Sequence, residues 1–144
     1  MGITVPQQRL IAGKFRDLPL NNVIELLQSP IHEHRLTALF ILVSKYERGD
    51  MDKQKIIAGL YYKNRKFVNN WDLVDSSAPY ILGNYLYNHP PTILLSLVKS
   101  KSIWDRRIGM IATYYFIKNN KFDYTLKIAE ILLNDKHDLI HKAV

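Results

Sequence analysis

Apolar residues recur along this chain at the spacing of helices. Leu20, Val23, Ile24 and Leu27 share one helical face, and Ser29-Pro30 stops that run because proline cannot continue a helix. The spacing predicts a second helix from His32 to about Arg48, with Leu36, Leu39, Phe40, Val43 and Tyr46 on one side. Gly49-Asp50 closes it. Ile56, Ile57, Leu60 and Tyr61 predict a third from Met51 to Lys63, and Asn64 to Asn69 reads as a polar, basic connector. A fourth opens near Asn70 and ends at Asn88-His89-Pro90-Pro91. Thr92 to Lys99, Ser102 to about Lys118, Tyr124 to Leu133 and His137 to the end continue the theme. No stretch alternates strictly between apolar and polar residues as a half-buried strand does. The expected fold class is all-α.

These helices also repeat. Ile31-His32-Glu33-His34-Arg35-Leu36-Thr37-Ala38-Leu39 aligns with Ile103-Trp104-Asp105-Arg106-Arg107-Ile108-Gly109-Met110-Ile111. Ile140-His141-Lys142-Ala143-Val144 falls in the same register, so Arg35, Arg107 and Lys142 lie 72 and 35 residues apart. A unit of about 35 residues built from two helices is the mark of an α-solenoid, whose stacked repeats form a concave face. A non-repetitive bundle is the alternative. If the second helix of each unit lines the concave face, Arg35, Arg107 and Lys142 form a row of cations suited to phosphates. Taken singly, each is better explained as a side chain that flanks a buried stripe and reaches water, and it is their common register that favours the phosphate reading.

Composition narrows the function. The 144 residues support a single domain, 1–144, with a real core. There is no cysteine, which removes disulfides, thiolate metal sites and cysteine nucleophiles. The apolar runs are far below the ~20 residues of a membrane span. MGITVPQQRL lacks the layout of a signal peptide, so a cytoplasmic protein is expected. The net charge of +7 favours an anionic partner, nucleic acid being the commonest. The five histidines show no metal spacing, and there is no glycine-rich phosphate loop and no G-x-S-x-G. No metal and no cofactor is expected.

One segment looks chemical. In Asn70-Trp71-Asp72-Leu73-Val74-Asp75-Ser76-Ser77-Ala78-Pro79-Tyr80, Trp71 and Asp75 are four apart and share a helical face. Asp75 lies at the edge of the stripe formed by Val74, Ala78, Ile81, Leu82 and Tyr85, half desolvated, with Arg107 as a cation to offset the cost. Pro79 has no N–H to give the carbonyl of Asp75, so a kink is expected there. By these residues alone, a structural tie of Asp75 to Arg35 or Arg107 is the favoured reading, and a core position the usual one for Trp71. Asp72 and Asp105 are explained as first-turn acids of their helices.

These residues carry a resemblance. Asn70-Trp71-Asp72-Leu73-Val74-Asp75 with Ala78-Pro79-Tyr80, then Ile103-Trp104-Asp105-Arg106-Arg107-Ile108, and Leu133 through Val144 resemble the DNA alkylation repair (AlkD-like) family. Gly2 through Arg9 and Ser29 through Arg35 are similar to it as well. The resemblance implies HEAT-like repeats with a basic, DNA-binding concave face, and a DNA glycosylase that releases N3- and N7-alkylated purines from double-stranded DNA. It implies that Trp71 and Asp75 are the catalytic aromatic and acid, and that Arg107 contacts phosphate. Arg35, Lys142, Arg106 and Trp104 join as candidate DNA contacts. The family is known for leaving the lesion largely outside a snug pocket. It also implies a domain extending beyond both ends of this chain, which is expected to be a monomer unless uncapped ends self-associate. The alternatives are a non-catalytic HEAT-like scaffold for DNA or protein, and a helical module with no nucleic-acid role.

Overall fold

A computed structural model describes residues 2–144, and among them there are helices and no strand. No helix among the described residues is long and apolar enough to cross a membrane. The chain forms two compact units, Met1–Val68 and Asn69–Val144.

The first unit holds α1 (Val5–Lys14), α2 (Leu20–Leu27), α3 (His32–Arg48), α4 (Met51–Asn64) and a 3₁₀ turn at Arg65–Phe67. The periodicity predicts α2, α3 and α4 within a residue or so. It does not predict α1, because that helix exposes Val5 and Leu10 and buries Gln8 and Ala12. Local capping starts α1 instead. The Thr4 hydroxyl accepts from the Gln7 N–H at 3.4 Å, and Gln7 Oε1 accepts from the Thr4 N–H at 2.9 Å. Buried Gln8 is held by the Ile3 carbonyl and the Thr37 hydroxyl. Gly49 ends α3, and Asp50 starts α4 by accepting from the Lys53 N–H at 2.8 Å. Val23, Leu27, Leu36, Leu39, Tyr46, Ile57 and Tyr61 form the core of this unit, each at most 2% exposed.

The second unit holds α5 (Trp71–Asp75), a π turn at Pro79–Gly83, α6 (Asn84–Tyr87), α7 (Thr92–Val98), α8 (Ile103–Ala112), α9 (Tyr114–Lys118), α10 (Asp123–Leu132) and α11 (Asp138–His141). The break expected beside Pro79 is present. The α-helix stops at Asp75, and the chain re-forms with Gly83 donating to the Ala78 carbonyl five residues back at 2.8 Å. The stretch 102–118, read as one helix, is broken at Thr113. The Thr113 N–H and hydroxyl both turn back to the Met110 carbonyl, at 3.1 and 2.7 Å.

Two glycines set how closely these helices pack. A Cβ on Gly83 would lie 2.2 Å from the Ala112 carbonyl oxygen, and one on Gly109 would lie 2.6 Å from Val98. Gly83→Ala therefore has to push the π turn off the end of α8. Its expected cost is about 1–3 kcal/mol or more by overpacking, read as a fall in melting temperature.

A small clasp recurs before α3, α8 and α11. Ser29 Oγ accepts from the Ile31 N–H at 3.1 Å, Ser100 Oγ from the Ser102 N–H at 3.1 Å, and Asp135 Oδ1 from the His137 N–H at 2.9 Å. A side chain six residues on then returns to the same residue's carbonyl: Arg35 to Ser29, Arg106 to Ser100, His141 to Asp135. The spacing is 71 and then 35 residues. Arg35 thus matches Arg106, not Arg107, and the sequence alignment at 72 is one residue out. Adjacent arginines make that register ambiguous to a sequence comparison, and the carbonyl each one clasps resolves it.

Candidate functional site

The acid and its partner come from two helices of the second unit. Asn70 caps α5 through its side chain, accepting from the Trp71 N–H at 2.8 Å, and Asp72 accepts from the Leu73 N–H at 2.8 Å. Asp72 is thus engaged locally, as a first-turn acid should be. One turn on, Asp75 meets Arg107 of α8. Nε and Nη2 of Arg107 donate to the two carboxylate oxygens at 3.1 and 2.9 Å, a side-on bidentate pair. The third nitrogen, Nη1, donates to the Leu139 carbonyl at the start of α11. The pair is asymmetric: the Arg107 side chain is 7% exposed and that of Asp75 37%. The cation is sunk in protein, and the carboxylate shows one side to solvent.

That open side borders a hollow of about 250 Å³, lined by Asp75, Pro79, Tyr80, Tyr114, Ile117 and Ala143 among others. Tyr80 and Tyr114 are 38% and 48% exposed. Sequence reasoning passed over both. Tyr114 and Ile117 fall inside the stretch read as one helix from Ser102 to about Lys118, with no feature to set them apart. The break at Thr113, which sequence did not show, leaves Tyr114 and Ile117 exposed.

The remaining candidates fare differently. Trp71 shares the face of Asp75 and is 54% exposed, but does not line the hollow. Trp104 is half-buried at the start of α8. Arg107, read as a phosphate contact, instead spends its nitrogens on Asp75 and Leu139. Arg106, read the same way, is turned into protein. Its Nε donates to Asp135 at 2.7 Å, Nη2 to the same carboxylate at 3.3 Å, and Nη1 to the Ser100 and Lys101 carbonyls. Burial pushes the Asp135 carboxyl up, but the Arg106 guanidinium, the His137 N–H and the nearby charges outweigh it and hold the carboxyl below its ordinary range. Lys142 is exposed just past the end of α11 and pairs with Asp138 at 2.7 Å. That contact holds the Asp138 carboxyl low. In the first unit, Arg35 holds the Ser29 and Pro30 carbonyls at 3.0 Å, and its buried Nε has no partner.

The basic surplus is uneven. Residues 1–68 carry eleven Lys and Arg against six Asp and Glu; residues 69–144 carry nine against seven. In the second unit three of those nine cations, Arg106, Arg107 and Lys142, are paired with acids.

A family model described as DNA alkylation repair enzyme matches residues 1–144, the whole chain. The chain belongs to the DNA alkylation repair enzyme family. No curated protein and no solved structure matches it significantly. Membership in the DNA alkylation repair family places the chain in DNA repair, with DNA as its substrate class.

Proposed function

We propose that this protein is a DNA glycosylase that hydrolyses the N-glycosidic bond of N3- and N7-alkylated purines in double-stranded DNA. One observation carries the proposal: Asp75 is fixed by a buried arginine with its free side on the hollow. An alkylated purine is already cationic, so it departs as a neutral base when the C1′–N bond breaks and takes the bonding electron pair. Positive charge is left on the sugar. An anionic Asp75 stabilises that charge, and it accepts a proton from the water that attacks C1′. A half-exposed Trp71 ring, one turn from Asp75, adds cation–π attraction as the charge develops. Arg107 acts through Asp75 as a positioning residue, holding both carboxylate oxygens so that one direction of approach stays open. Among the candidate phosphate contacts, Arg35 and Lys142 keep that role, and Arg106 is assigned to holding the loop before α11. The HEAT-like repeat reading is supported by the clasp at Ser29, Ser100 and Asp135. A cytoplasmic monomer completes the proposal.

The test is release of 7-methylguanine and 3-methyladenine from alkylated duplex DNA by the purified protein. Free base in the supernatant, rising with protein, is the expected result. Salt-dependent DNA binding without base release would instead make the chain a DNA-binding scaffold, with the Asp75–Arg107 pair a structural tie between α5 and α8.

A further inference from the structure

The acid-lined hollow does not end at Tyr114. A second hollow of about 270 Å³ shares Pro79, Tyr80 and Tyr114 with it and runs on to Tyr115, Lys118 and Asn119. The two form one track, with a carboxylate at one end and an ammonium at the other. We propose that the second hollow holds the nucleotide next to the lesion, with its phosphate on Lys118 and its base or sugar against Tyr114 and Tyr80. This rests on the glycosylase reading and adds a strand-holding subsite to it.

Three features point to this occupant. The first is charge. Lys118 is exposed and has no acidic partner within ion-pair distance among the described residues, whereas Arg106, Arg107 and Lys142 each have one. Lys121, three residues on, lies over the Tyr87 ring with its Nζ 3.9 Å from the centroid. Lys118 is the cation left to this hollow, with its Nζ 5.8 Å from the Tyr114 ring centre.

The second feature is the pairing of aromatic faces with a cation. Exposed rings beside a lysine make a platform on which a base stacks while the backbone phosphate meets the charge, and every base has a π face to offer. The third is rigidity. The end of α9 is closed by Asn119, Asn120 and Lys121, whose N–H groups return to the Phe116 and Ile117 carbonyls at 2.9–3.1 Å. Asn120 takes the left-handed conformation, φ 59°, that such a closure requires. The Asn119 side chain donates to the Tyr115 carbonyl at 2.8 Å, and the Tyr87 hydroxyl donates to the Asn119 carbonyl at 3.4 Å. With the helix-end carbonyls occupied, the hollow offers a phosphate the ammonium of Lys118.

The experiment measures binding of the full chain to a duplex carrying a tetrahydrofuran abasic analogue, which has no base to lose, across a salt series. For Lys118→Gln the slope of log K against log salt should fall by about 0.9, the share of one duplex phosphate. Tyr114→Leu should weaken binding roughly 5- to 100-fold, the range for one lost base stack, with the slope kept. Tyr114→Phe, which retains the ring, should bind as wild type does. An unchanged slope in Lys118→Gln, or Tyr114→Leu binding as tightly as Tyr114→Phe, would overturn the subsite. Circular dichroism of each variant establishes that it is folded. Failure of the glycosylase reading is separately visible, as a protein that binds this duplex with the expected slopes yet frees no base from alkylated DNA.

Discussion

Asp75→Asn should abolish most base release, by about 10²–10³-fold in single-turnover rate, the usual loss when one preorganised electrostatic contact to a developing charge is removed. The substitution keeps the shape and one carbonyl acceptor. It removes the negative charge that stabilises the sugar cation and the oxygen that takes the proton from water. It also strands Arg107, which is 7% exposed and cannot turn to solvent without moving protein. The expected stability loss is about 2 kcal/mol, toward the low end for a broken buried pair because the acid is itself partly exposed. Rates therefore have to be compared at a temperature where both proteins are folded. Equal release by wild type and Asp75→Asn would remove Asp75 from the chemistry. Arg107→Lys separates positioning from charge. It keeps a cation and loses the fork that holds both oxygens, so release should slow more than DNA binding weakens.

The second large effect belongs to stability. Arg106→Met breaks a pair in which both partners are half-buried, with side chains 17% and 10% exposed, and frees two carbonyls before α8. The expected cost is about 3 kcal/mol, a fall in melting temperature of roughly 6–12 °C for a chain of this size. Its pH dependence has a definite sign. The Asp135 carboxyl is held below its ordinary value of 3.8 in the folded state. Its contribution is therefore complete above that value and is lost as the pH falls through the lower, folded-state one. The gap between wild type and Arg106→Met should be widest at neutral pH and close below about pH 4. Adding Asp135→Leu to Arg106→Met should restore much of the loss, since an apolar pair leaves no buried charge unpaired. A gap that did not narrow at all as the pH is lowered below 3.8, the carboxyl's ordinary value, would show that the carboxylate is not the source.

Most helices were legible because their buried residues are apolar and periodic, as in Leu36, Leu39 and Tyr46. The first helix was not. Its buried residues include Gln8, its exposed ones include Leu10, and its start depends on a reciprocal cap that hydropathy does not register. The break after Asp75 was legible because proline removes a specific donor. The break at Thr113 was not, since a threonine inside a helical pattern does not announce that its hydroxyl will fold back on Met110. Spacing brought an arginine within reach of Asp75, but it could not say which way the guanidinium turns. Direction depends on what else needs a donor, here the Leu139 carbonyl far along the chain. For the same reason Arg106 looked free until Asp135 was placed beside it.

The π turn after Asp75 has an arithmetic consequence. It spends one residue more than an α turn, and one residue is about 100° of rotation about a helix axis. The helical chain beyond Ala78 is therefore phased by the length of this turn as much as by the identity of its side chains. Deleting Ile81 or Leu82 would let the chain return to regular winding and turn α6 by about 100° relative to α5. How the chain after the turn packs behind the acid is thus set by a residue count as well as by the side chains it carries.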